Sequence, residues 1–159
     1  MNIAFLKKSL FLPIICILLA ISCNHVTQQP SIELSWNMLQ KTQFIKKTMT
    51  GSPNPVDYPL FPTEMKALEG QLVRMTGYVI PIEETGDDAV LVLSAVPYSS
   101  CFFCGGAGPE TIMDIRLKTK TTKRFKKDET LTFRGKLKLN DSDLMFFNYI
   151  LEDAEQLSN

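Results

Sequence analysis

Two nine-residue stretches of this chain alternate apolar with polar residues, and each has a glycine in its apolar row. In residues 71–79, Val73, Met75, Gly77 and Val79 oppose Arg74 and Thr76; in 131–139, Leu131, Phe133, Gly135, Leu137 and Leu139 oppose Thr132, Arg134, Lys136 and Lys138. A period of two is that of a strand with one buried face. A glycine where a large side chain would point inward marks a bend or bulge, the device that lets a sheet curl. Three further strands are predicted: Ala89 to Val96, nearly continuous in apolar residues and so a central strand; Met113, Ile115 and Leu117, alternating with Asp114, Arg116 and Lys118; and Leu144 to Leu151. Turn signals separate them at 84–88, 118–127 and 140–143. Five short strands within residues 71–152 predict a mainly β fold, a small Greek-key barrel of the oligonucleotide/oligosaccharide-binding (OB-like) type. A β-sandwich with the proline-rich stretch across one face is the alternative.

Upstream of the barrel, residues 32–70 read as a helical and proline-rich packing segment. Ile32, Leu34, Trp36, Leu39 and Phe44 are semi-periodic behind Ser31 as an N-cap, which predicts a short helix or irregular segment with Trp36 plugging the core. Pro53, Pro55, Pro59 and Pro62 withhold backbone donors and predict an extended, turn-rich run without a regular ladder. Thr63 to Leu68 can form one helical turn ended by Gly70. Residues 153–159 are expected as a C-terminal tail.

The first 22 residues read as an address. Lys7 and Lys8 precede an apolar run from Leu10 to Ile21, the length of a signal-peptide core and short for a membrane span. Leu19-Ala20-Ile21-Ser22-Cys23 resembles a bacterial lipobox, with Ala20 and Ser22 as relaxed substitutes for its commonest residues. Cleavage would leave Cys23 first, carrying diacylglycerol and further acyl chains such as palmitate, which suffices for stable anchoring. An ordinary secretory signal cut nearby, or an uncleaved anchor, is the alternative. Residues 23–31 are then a tether, and His25, the one histidine, is a solvated part of it. The whole chain balances 17 basic against 17 acidic residues; removal of residues 1–22 takes only Lys7 and Lys8 and leaves 15 against 17. That charge carries no nucleic-acid footprint. The expected location is the bacterial cell envelope, lipid-anchored and facing the periplasm.

Of the four cysteines, Cys16 leaves with the signal and Cys23 is committed to lipid, so the thiol chemistry rests on Cys101 and Cys104. They lie in Cys101-Phe102-Phe103-Cys104-Gly105-Gly106-Ala107-Gly108-Pro109-Glu110, between the second and third predicted strands. Three readings stand. A metal knuckle would aim both sulfurs at one ion, with Gly105 letting backbone amides reach sulfur; Cu(I) can be held by two thiolates, whereas zinc would also need carboxylates such as Glu110 or Asp114, or a second molecule. A redox pair would need a lowered thiol pKa, but the glycines and Pro109 that follow oppose a helix there. A local disulfide or a pair of small buried residues would simply pin the loop, as an oxidising compartment favours. Phe102 and Phe103 are expected as core plugs, one of them able to face out. Lys118, Lys120, Lys123, Arg124, Lys126 and Lys127 read as a solvated hairpin loop, with contact to anionic phospholipid the alternative. Glu83, Glu84, Asp87 and Asp88 read as turn acids. No Ser-His-Asp set, phosphate loop or HExxH occurs, and a binding or accessory role is expected over an enzymatic one.

Trp36, Tyr58-Pro59, Phe61-Pro62, Gly77-Tyr78-Val79-Ile80-Pro81, the Cys101 to Gly105 block and Gly108-Pro109-Glu110 together resemble a bacterial family of secreted and lipid-anchored proteins, the domain of unknown function 3299. The likeness runs from Trp36 to Leu151. It implies a periplasmic domain often encoded beside export-type transporters, sometimes in metal-responsive settings, and so an inner-membrane transporter as a partner. It implies no activity. The family's two cysteines carry over onto Cys101 and Cys104, while members richer in histidine would complete a metal site more easily than this chain.

Overall fold

A computed structural model describes residues 30–80, 90–120 and 125–158. Its elements are β1 (Ile32–Glu33), α1 (Trp36–Leu39), β2 (Gln43–Lys47), β3 (Val56–Leu60), α2 (Thr63–Lys66), β4 (Leu72–Ile80), β5 (Val90–Ser94), β6 (Ile112–Leu117), β7 (Thr130–Leu139) and β8 (Tyr149–Leu157). Strands β4 to β8 form a closed barrel in the order β4-β5-β6-β8-β7, sealed by pairing of β4 with β7. Every neighbouring pair is antiparallel except β6 with β8. The five expected barrel strands are all present.

The interior is built from the rows that alternation singled out. Val73, Met75 and Val79 of β4, Leu131, Phe133 and Leu137 of β7, and Tyr149 and Leu151 of β8 meet Leu91, Leu93, Met113 and Ile115 in one apolar core. The two inward glycines serve different ends. At Gly77 a Cβ would lie 2.6 Å from the Ser94 carbonyl oxygen and 2.9 Å from both Leu93 and Trp36, so this glycine admits the tryptophan that packs against the core. The Trp36 indole N–H donates to the Thr76 carbonyl at 2.8 Å, which fixes that ring. Gly135 faces a bulge in β8. There Lys136 pairs with Glu152 but Arg134 with Glu155, and across the other neighbour Ile115 pairs with Leu151 but Leu117 with Ala154. The extra residue belongs to β8, where Asp153 adopts φ +51°. A Cβ on Gly135 would sit 2.6 Å from the Glu152 carbonyl oxygen.

Several expectations about the flanks change. Ile32–Glu33 is not helical: it adds a short parallel strand to β4, and the helix begins at Trp36 with Ser35 as its N-cap. The proline-rich stretch does enter a ladder. β3 pairs antiparallel with β2 from Val56↔Lys47 to Leu60↔Gln43, with Pro59 opposite Phe44. An isolated ribbon has alternate positions whose N–H points away from the partner, and a proline can occupy one without loss. The last strand starts at Tyr149 rather than Leu144, and residues 153–157, expected as a tail, form its second half. The helical turn after Pro62 is present as α2, and the chain reverses near Gly70, whose φ is +72°. Among the described residues no helix is long and apolar enough to cross a membrane.

Candidate functional site

The outer face of β5 and of the start of β6 is covered, and there it is apolar. Outward-pointing Val92 and Ile112 join Ile80 and Cys101 in a second, smaller buried cluster against which Val96 and Phe147 pack. Two loops make that cover: residues 95–111, carrying the cysteines, and residues 140–148.

The cysteine loop is a chain of tight turns, Tyr98–Ser100, Phe102–Cys104 and Pro109–Thr111, each a single 3₁₀ turn. Its ends are fastened by the Ala95 N–H to the Thr111 carbonyl at 2.9 Å and by the Tyr98 N–H to Asp128 Oδ1 at 2.7 Å. Cys101 is fully buried and Cys104 is exposed; both are free thiols. The Cys104 thiol donates to the Tyr98 carbonyl at 3.2 Å. Gly105 takes φ +71°, the left-handed geometry that ends the turn. The amides after the motif are spent on carbonyls: Cys104 N–H and Gly106 N–H reach the Cys101 oxygen at 3.0 and 3.3 Å, and Gly105 N–H reaches Phe102 at 2.9 Å. The sulfur-directed amides expected of a knuckle are therefore engaged elsewhere. Gly106 has its own reason to be glycine, since a Cβ would lie 2.6 Å from the Ser100 oxygen.

The two carboxylates considered as further ligands face other tasks. Asp114, buried on the outer row of β6, accepts the Phe147 N–H at 2.8 Å. Burial pushes its carboxyl pKa above the ordinary range, against the opposing pull of that hydrogen bond and of the Arg116 charge. Glu110 turns back over Gly108, where a Cβ would collide with its carboxylate. Among the described residues no group of three or more His, Cys, Asp or Glu side chains is placed to hold an ion. Cys23, the lipidation candidate, lies outside the described residues, as do His25, Cys16, Glu83, Glu84, Asp87, Asp88, Lys123 and Arg124.

Phe102 and Phe103 are not core plugs; both are exposed in part. Together with Phe147 they form an edge-to-face triangle with ring centres 5.8 to 6.1 Å apart. The second loop is organised by Asn140, a residue read in the sequence only as part of a turn. Its amide nitrogen donates toward the carbonyls of Asp143 at 2.7 Å and of Phe146 and Phe147 at 3.1 Å, while its oxygen accepts the Asp143 N–H at 2.9 Å. Arg116 stacks on Phe146, its guanidinium carbon 3.9 Å from the ring centre. Between this loop, the cysteine loop and the β2–β3 ribbon lies a cleft of about 320 Å³. The two adjacent aromatics at 146–147 beside an Asn-Asp-Ser-Asp turn were the available signal, and assignment of Leu144 to Leu151 as one strand obscured it.

Closed five-stranded connectivity with a parallel third and fifth strand defines a small barrel of the OB type. Among solved structures the chain is similar to a DUF3299 family protein from Pseudomonas aeruginosa PAO1, at 17% identity over 82% of this chain and 98% of that one, with a TM-score of 0.49. No protein-family model matches the chain, and no curated protein does.

Proposed function

We propose that this chain is a binding or accessory module of the bacterial cell envelope, lipid-anchored through Cys23, facing the periplasm and serving an inner-membrane transporter. In this reading Cys101 and Cys104 secure the loop that covers the outer face of β5 and β6. The observation that carries the thiol assignment is the position of Cys101, sealed among Ile80, Val92 and Ile112 while Cys104 faces solvent. A sulfur so placed acts as a packing group, and in an oxidising compartment the pair would close as a disulfide. Closure removes one proton and one electron from each thiol, with both electrons passing to the disulfide of a thioredoxin-like oxidase by exchange.

The donor set does not fit four-coordinate zinc, because among the described residues no group of three or more His, Cys, Asp or Glu side chains converges to hold an ion. Cu(I) remains a second reading, favoured by the exposed Cys104 thiol beside the left-handed turn at Gly105 and by the sufficiency of two sulfurs for that ion. Anaerobic titration of the reduced protein with Cu(I) and Zn(II) separates the two. Binding no tighter than that of a Cys101→Ser/Cys104→Ser variant supports the loop pin, and tight Cu(I) binding lost in that variant replaces it with metal handling. Mass spectrometry of protein taken from its native membrane tests the rest: an acylated N-terminal Cys23 and a quantitative Cys101–Cys104 disulfide are expected. An unmodified Cys23 would sink the anchor.

A further inference from the structure

We infer that the cleft between the β2–β3 ribbon and the 140–148 loop docks a basic peptide segment of a partner protein, seated through an apolar anchor residue. This deepens the binding-module reading by giving the partner's chemistry, and it rests on that reading's protein partner but on neither the lipid nor the thiols.

The cleft is lined by the rings of Phe102, Phe146 and Phe147 and by the carboxylates of Asp57, Asp141 and Asp143, with no lysine or arginine among the described lining residues. Each of these carboxylates has one local partner. Asp57 is bridged by Lys46 at 2.9 Å, Asp141 accepts the Tyr58 hydroxyl at 2.9 Å, and Asp143 accepts the Met145 N–H at 2.9 Å. A carboxylate has about four acceptor sites, so each keeps capacity for a second donor. The Lys46 bridge is solvent-exposed and of the kind that contributes little and exchanges readily.

Arg116 already stacks on Phe146, so an ammonium or guanidinium entering here would meet the carboxylates together with the rings of Phe102 and Phe147. The walls are preformed, because Asn140 ties one loop to itself and the cysteine turns fix the other. Leu144 in the lining and Met145 next to it are 49% and 83% exposed, an apolar surface that extends past what a small cation would cover and that a peptide's side chains would shield. The same three carboxylates repel an anionic bilayer, which is why a protein segment is favoured over a lipid surface.

The test uses the full chain carrying Cys23→Ser, in mild non-ionic detergent. Fluorescence anisotropy compares a labelled Lys-Phe-Lys-Leu-Lys-Phe peptide with its counterpart bearing Glu in place of Lys. The lysine peptide is expected to bind at least tenfold tighter, to weaken as salt is raised, and to lose at least tenfold in an Asp57→Asn/Asp141→Asn/Asp143→Asn variant. Asparagine keeps an acceptor for Tyr58 and for Met145, so that variant should melt as the parent does, and Leu144→Ser supplies a milder exposed change that should weaken both peptides. Equal affinity for the two peptides, or no loss in a folded triple variant, overturns the inference. So does Leu144-dependent binding to vesicles of phosphatidylcholine and phosphatidylglycerol, which would reassign the cleft to lipid, or Asp-dependent dimerisation in sedimentation, which would reassign it to a second copy. Loss of peptide discrimination with an acylated Cys23 in the native protein overturns this inference alone and leaves the anchored module standing.

Discussion

Replacing Asn140 should untie one wall of the cleft, and the size of the effect can be worked from its bonds. The side chain is nearly fully buried. Its amide group has two protons for the three carbonyls of Asp143, Phe146 and Phe147, so one proton is shared, and its oxygen holds the Asp143 N–H. Three hydrogen bonds at a net of roughly 1 kcal/mol each, with some groups left unpaired, give a loss of about 2–4 kcal/mol for Asn140→Ala. Asn140→Asp is the sharper perturbation. It preserves shape and the acceptor but sets a buried negative oxygen against those carbonyls, so at neutral pH it should be less stable than the alanine variant, and acidification that protonates the new carboxyl should narrow the gap. Urea unfolding followed by the fluorescence of Trp36, the chain's one tryptophan, reports both. An alanine variant within about 0.5 kcal/mol of the parent, or an aspartate variant as stable as the parent at pH 7, would refute the role given to Asn140.

Gly77→Ala should cost about 1–3 kcal/mol in the same assay, since the new methyl meets the fixed Ser94 backbone as well as Trp36. Native reduced protein should expose Cys104 to a thiol reagent at once and Cys101 only on unfolding; equal rates would contradict the burial of the first sulfur. Asp114 has a raised folded pKa, so the folded state holds its proton more tightly and stability from this group declines as pH rises from the ordinary carboxylate pKa through the folded one. Asp114→Asn, which still accepts the Phe147 N–H, should remove that slope from stability measured against pH. The Tyr149 hydroxyl is pushed up to about 12 by burial, with Thr42 2.7 Å away as its hydrogen-bond partner. Folded protein keeps this proton where unfolded chain releases it, so stability falls between roughly pH 10 and 12, and Tyr149→Phe should flatten that decline while costing about 1–2 kcal/mol at neutral pH.

Alternation and the two glycines made the barrel legible, because burial of one face imposes a period of two that local sequence cannot hide. The near-continuous apolar run of β5 marked a central strand, although not the cover that lies over its outer face. That cover was illegible for a physical reason. The 95–111 and 140–148 loops have no period, and their order comes from side chains such as Asn140 and Asp114 satisfying backbone groups on the same or another segment. The β8 bulge misled in the same way, since one inserted residue at Asp153 breaks the alternation that would have extended the strand to Leu157. Prolines weighed too heavily against β3, where a two-stranded ribbon leaves room for them. The cysteine motif pointed to the right loop and left open that its two sulfurs occupy opposite environments.

The position of β8 between β6 and β7 has a consequence for how the molecule is made. The last barrel strand in chain order is the keystone of the wall, so a nascent chain can assemble β4 with β5, β6 and β7 yet retains an open seam with two unsatisfied margins. Only arrival of residues 149–157 removes both margins at once. A chain truncated after β7 would therefore emerge as an adhesive half-cylinder, with the free margins of β6 and β7 open to pairing with another copy.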